Sequence, residues 1–267
     1  MKRFILLIVV LFSLLGAVGC MNKNEISESE IENRTYIRTQ VTTEDKPKEN
    51  SNVDINSGSQ SESKNKNDND NDIQSISSFI PTGWHVLQKS DGKLAMAEGD
   101  LNKDDITDKV FVIEKSDQLE YEHPRNLLIA FGNKDNTYTL SIKVEKAILL
   151  RNEGGAFGDP FQDMIIDRGS ILLKFYGGSS SKWFMDYRFR YQDEGWFLIG
   201  ATLGGSFTGI DGNVYVDEED YNLLTGDYII RKYDENGKLT ISKGNRGKRQ
   251  LLNLRNFDAA ADNKSKI

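Results

Sequence analysis

The 267-residue chain contains a single cysteine, Cys20, and two histidines, His85 and His123. One cysteine cannot form a disulfide within the chain, and it gives thiolate catalysis or Cys-ligated metals almost nothing to work with. Two histidines are too few for a His-rich zinc site or a convincing His-based triad, and His123 stands directly before Pro124 in turn chemistry. No Gly-x-Ser-x-Gly elbow is present, and no glycine-rich loop runs into Gly-Lys-Ser/Thr, so two further common routes to catalysis and phosphate binding are missing. Acidic residues outnumber basic ones, 41 to 34. The formal net charge of -7 argues against nucleic acid as a partner.

At the N-terminus, Lys2 and Arg3 precede the apolar run Phe4 to Leu15, and Gly16-Ala17-Val18-Gly19 supply small residues just before Cys20. The apolar run is shorter than the ~20 residues that cross a bilayer, and its order of charge, apolar stretch and small residues is that of a signal peptide, residues 1–19. The segment resembles the lipobox of bacterial lipoproteins, with Ala17 where leucine is usual. That resemblance implies acylation of Cys20, which becomes the first mature residue, a lipid anchor in the membrane and an extracytoplasmic location. Removing Lys2 and Arg3 takes the charge from -7 to -9.

From Met21 to about Ile76 the chain is Asn, Ser, Glu, Lys and Asp with one aromatic, Tyr36. It has too little apolar surface to offset the entropy of ordering, so residues 20–76 are expected to form a disordered tether with a reach of roughly 40 Å. Composition changes at Phe79-Ile80-Pro81, and Trp84, Trp183 and Trp196 all lie beyond it. Residues 77–257 are long enough for one globular domain with its own core, and 258–267 read as a disordered tail.

Within that domain the apolar period is two. Trp183, Met185, Tyr187, Phe189 and Tyr191 alternate with a mostly polar set, as do Tyr138, Leu140, Ile142 and Val144. Asp193-Glu194-Gly195 and Asn236-Gly237 mark hairpin reversals, while Glu218 to Leu224 has the look of a short helical turn. The expected fold is all-β, with antiparallel meanders forming two packed sheets as a sandwich or a partial propeller-like array.

The sharpest local motif is Glu98 to Asp108. Oxygen side chains at loop positions one, three, five and nine, with a carbonyl at seven, suit a calcium-sized ion. Asp100, Asn102, Asp104 and Asp108 supply the side chains and Ile106 the carbonyl. The loop resembles the calcium loop of FG-GAP and VCBS repeats, with Asp105 in place of the glycine usual at position six. It occurs once. The wider order of motifs, this loop followed by Gly154 to Phe161, Tyr176 to Ser179 and Asp220 to Gly226, resembles a family of bacterial envelope lipoproteins. The resemblance implies fold and location and no particular activity.

Two functional readings follow. Glycine and serine loops near Trp183, Trp196 and Phe157 supply the ingredients of a recognition surface for a glycan or an envelope protein. A non-enzymatic binding or structural role at the cell envelope is the first reading. The second is a surface-tethered hydrolase of wall polymer or glycan, which needs two carboxyls across a cleft. Its candidates are Asp159, Asp163, Asp167, Asp186 and Asp217 to Asp220. A basic stretch, Lys243, Arg246, Lys248, Arg249 and Arg255, could touch anionic headgroups.

Overall fold

The computed structural model describes Ile73 and residues 75–116 and 123–267. The signal peptide, Cys20 and nearly all of the expected tether lie outside the described residues. Twelve strands are found among the described residues: β1 (Trp84–Val86), β2 (Met96–Gly99), β3 (Asp108–Lys115), β4 (Arg125–Gly132), β5 (Tyr138–Val144), β6 (Phe161–Asp167), β7 (Ser170–Gly178), β8 (Lys182–Gln192), β9 (Gly195–Thr208), β10 (Val214–Asn222), β11 (Asp227–Tyr233) and β12 (Leu239–Asn245). The fold is all-β, in two antiparallel sheets. In the first, β3 pairs with β4 and β4 with β5, while β1 and β2 share the other edge of β3. In the second, β6 to β12 follow one another as an unbroken meander.

Alternation explains how the sheets meet. In β8, Tyr187 and Phe189 are buried while Arg188 and Arg190 take the other face; in β7, Ile171, Leu173 and Phe175 point the same way as that buried pair. These side chains pack against Val110, Val112, Leu127, Ile129, Ile142 and Val144 of the first sheet, so one core fills the space between the sheets. Strands β3 and β4 are buried on both faces, which is why they read as near-continuous apolar runs. A second cluster covers the outer side of the first sheet, where Ile76 packs with Val86, Phe111, Ile113, Leu128 and Ala130.

The reversals follow from turn chemistry. Asp193 and Glu194 both take positive φ (49° and 57°) between the paired residues Gln192 and Gly195, the backbone of a two-residue hairpin turn whose twist matches its strands. Asn236-Gly237 lies in the connection between β11 and β12, as expected.

Three expectations are corrected. Glu218 to Leu224 is not helical: up to Asn222 it is strand, pairing with β9 and β11, because Glu219 and Tyr221 alternate inward. Residues 258–267 are not a disordered tail. Ala259 and Ile267 are each 2% exposed in the main core, and the Ala259 amide donates to the Lys146 carbonyl at 2.8 Å. Nor does the folded unit begin at Ser77, since Ile76 is fully buried and Ile73 packs on the same cluster. A fragment 77–257 would remove core residues from both ends.

Candidate functional site

The loop between β2 and β3 is organised by its own carboxylates. Asp100 Oδ1 accepts from the amides of Lys103 (2.7 Å) and Asp104 (3.3 Å), and its Oδ2 accepts from Asp105 (3.2 Å). Asn102 Oδ1 accepts from the Asp104 amide, and Asp104 Oδ1 from that of Ile106. Asp105 adopts φ 64°, the left-handed conformation required at position six, which aspartate tolerates better than most residues.

Asp108 behaves differently from its neighbours. It is fully buried; Oδ2 accepts from Leu101 (2.7 Å) and Asn102 (3.3 Å), and Oδ1 from Gly132 at the end of β4 (3.0 Å). Burial pushes its carboxyl above the ordinary range, against the pull of those amides. Gly132 must be glycine for this contact, because a Cβ there would collide with the Thr107 carbonyl. Asp100, Asn102 and Asp104 thus sit on the exposed loop with oxygens that can turn toward a cation, while Asp108 is committed to holding the loop on the sheet. Among the described residues, no group of three or more His, Cys, Asp and Glu side chains is gathered closely enough to hold a metal.

The carboxylates considered for hydrolysis are spread over both faces of the second sheet and engaged. Asp159 receives both terminal nitrogens of Arg125. Arg125 is 1% exposed, and its Nε donates to Glu114 at 2.8 Å and Nη1 to the Leu149 carbonyl at 3.2 Å. This ion pair network joins the head of β4 to the segment before β6. Asp163 pairs with Lys89 (2.8 Å), Glu218 with Arg231 (3.1 Å), and Asp220 accepts from the Thr202 hydroxyl (2.9 Å). Asp167 faces Arg168 and Arg188; although burial raises its pKa, the guanidinium groups prevail and hold it below the usual range. Asp217 accepts from the Tyr233 amide at 2.8 Å. Asp186 lies on β8 between Lys174 of β7 and Thr202 of β9 in the ladder.

The three aromatic candidates do not come together. Trp196 is 2% exposed, packed on Tyr191 and Phe131 with its indole N–H donating to the Ser141 hydroxyl (3.0 Å), so it is a core residue. Phe157 packs edge-on to Tyr176 at 5.4 Å. Tyr176 alternates with the core residue Phe175, which puts Phe157 on the outer face of the second sheet. Trp183 belongs with Met185 and Tyr187 on the inner face. The glycine loops near Phe157 are backbone packed on backbone: the Ala156 amide donates to the Gly178 carbonyl and the Gly178 amide to that of Gly154, both at 2.9 Å.

Trp183 instead lines a groove of about 420 Å³ that sequence reasoning did not assemble. It lies on the inner face of β8 to β11 and is walled by residues 261–264 of the C-terminal segment. Met185, Leu203 and Phe207 line it with Trp183, whose indole lies over Gly177 of β7, and Gly205 leaves bare backbone at the ladder position opposite Trp183. At the rim Glu219 is 7% exposed; its Oε1 accepts from Lys264 (2.9 Å) and Lys232 (3.0 Å), and its Oε2 from the Tyr221 hydroxyl (2.8 Å). Burial alone would raise its pKa, but the two lysines and the hydroxyl bring it down to about 2. The ion pairs to Glu219 therefore stabilise the fold above the ordinary carboxylate range, a contribution lost as pH falls toward 2. In the C-terminal wall Asn263 is 2% exposed, and its Oδ1 has no hydrogen-bond partner.

Fold and geometry define a two-sheet all-β domain with a mixed apolar and polar groove. No family model matches the chain, and no curated protein matches it significantly. No helix among the described residues is long and apolar enough to cross a membrane.

Proposed function

We propose that this chain is a lipid-anchored extracytoplasmic binding module of a bacterial cell envelope, and that it takes its ligand in the groove beside Trp183. The groove carries the reading. Its volume of about 420 Å³ falls within the range of ligand sites, and it combines an apolar floor with a few polar groups at the rim. A binding role is further supported by the state of the carboxylates. Asp167 and Glu219 are held below the usual carboxylate range by neighbouring cations, whereas a general acid needs a carboxyl whose proton survives near neutral pH. The test is retention of envelope extract by the full chain, compared with Trp183→Ala and Phe157→Ala. Retention lost only with Trp183→Ala supports the groove; equal retention by all three contradicts it.

The anchor rests on the lipobox-like segment ending in Cys20. Cys20→Ser is expected to leave an unprocessed or soluble protein, since the apolar run is too short to serve as a stable spanning anchor. Membrane fractionation with radiolabelled fatty acid checks this. A variant that is cleaved and still sediments with membranes would remove the anchor from the reading.

The same reading gives the β2–β3 loop a weakly bound calcium ion, with Asp100, Asn102 and Asp104 as donors beside the Ile106 carbonyl. Two carboxylates and one amide oxygen, with no free third carboxylate, place the dissociation constant at about 0.1 to 1 mM, the regime of extracellular modules. Binding to the folded state alone raises the melting temperature as calcium rises. An unchanged melting temperature up to about 10 mM calcium, well above that constant, would make the loop an ordinary acidic turn.

A further inference from the structure

We infer that the groove beside Trp183 recognises a neutral saccharide; this rests on the proposed binding role and names its ligand class. The first argument is electrostatic. Lys232 and Lys264 at the rim are both spent on Glu219, and Lys232 also lies 3.9 Å from Asp217. An anionic ligand would have to displace these carboxylates from their lysines, losing pairs already formed before gaining its own. A cationic ligand meets acids that are already satisfied: Glu219 takes three donors and Asp217 the Tyr233 amide. The other two charged residues of the lining are of opposite sign: Lys182 holds its ammonium over the Phe157 ring, 5.7 Å from its centre, and Asp262 accepts from the Lys264 amide at 3.0 Å, so the lining carries no net charge to reward an ionic ligand.

The second argument is the distribution of apolar and polar surface. Trp183 and Phe207 provide aromatic surface, and Gly205 between the Trp183 and Asp217 positions of the ladder leaves nothing standing above the backbone. Such a floor accepts a flat, weakly apolar face. The polar groups stand around it, as they must for a ligand whose hydrogen-bonding groups project from its edge. A pyranose has this division, with C–H groups on its faces and hydroxyls at its perimeter. The volume accommodates more than one ring, so a short oligosaccharide is the appropriate probe.

The experiment titrates the full chain with maltotetraose, cellotetraose and chitotetraose, with tetragalacturonate as the anionic arm and the peptide Ala-Gln-Ala-Ala as the peptide arm. Tryptophan fluorescence and calorimetry report binding. At least one neutral tetrasaccharide is expected to saturate, with affinity weakened about tenfold or more by Trp183→Ala and by Phe207→Ala. Phe157→Ala, on the opposite face, leaves affinity unchanged. Phe207 lies near the end of β9 and is partly exposed, so its variant retains the fold if Trp183→Ala does not, which circular dichroism verifies. Binding of tetragalacturonate or of the peptide in place of neutral sugars overturns the ligand class. So does failure of all three neutral sugars, and the extract-retention assay then separates the two readings. Retention that is lost in Phe207→Ala leaves a binding module for another ligand, whereas no groove-dependent retention removes both.

Discussion

Arg125→Ala is expected to destabilise the protein by about 3 to 5 kcal/mol, the usual cost of removing one member of a buried ion pair. The guanidinium is inaccessible to solvent and joins Glu114 on β3, Asp159 before β6 and the Leu149 carbonyl. Without it Glu114, 7% exposed, is left as a buried charge without its partner. Arg125→Lys restores little, because a single ammonium cannot reproduce the two-pronged contact with Asp159 while also reaching Glu114. Denaturant unfolding of both variants measures the effect, and a loss below about 1 kcal/mol, the scale of an exposed pair, would show that the network contributes no more than a surface salt bridge.

Asp108→Ala carries the second large effect. Three amide groups, of Leu101, Asn102 and Gly132, lose the carboxylate that receives them. Each buried amide left without an acceptor costs about 1 to 3 kcal/mol, and partial relaxation of the exposed loop brings the total to about 3 kcal/mol. For a chain of this size that is a fall of about 10 °C in melting temperature. The loss is expected to be the same with calcium and with chelator, since Asp108 holds the loop to β4 in either case. A loss seen only when calcium is present would instead make Asp108 a metal ligand.

Both residues show what single-sequence reading reaches. Strong alternation made β5 and β8 visible, and Asp193-Glu194 marked its hairpin, because these signals are local. Asp108 was legible as a loop carboxylate, but its role depends on the Gly132 amide 24 residues away. Arg125 passes for a flanking residue just before the apolar run Leu127 to Phe131, since its carboxylate partners lie 11 and 34 positions away. Trp196 illustrates a different limit. Alternation assigns it to one side of a strand, yet only the packing of β5 and β8 around it shows that this side is interior. The C-terminal segment lacks aromatic residues and periodicity, and it is fixed by Ala259 and Ile267 in the core and by the Lys264 ion pair with Glu219. The groove depends on that segment for a wall, so no motif in the sequence could have outlined it.

The most direct measurement is a titration of the full chain, followed through its tryptophan indole ¹H–¹⁵N resonances, with the envelope fraction that it retains. Trp84, Trp183 and Trp196 occupy three separate environments: the edge of the first sheet, the groove and the core. The expected result is a saturable shift of the Trp183 resonance with Trp84 and Trp196 unmoved. Saturable binding that leaves Trp183 unmoved, or that shifts Trp84 alone, would contradict the assignment of the groove as the binding site.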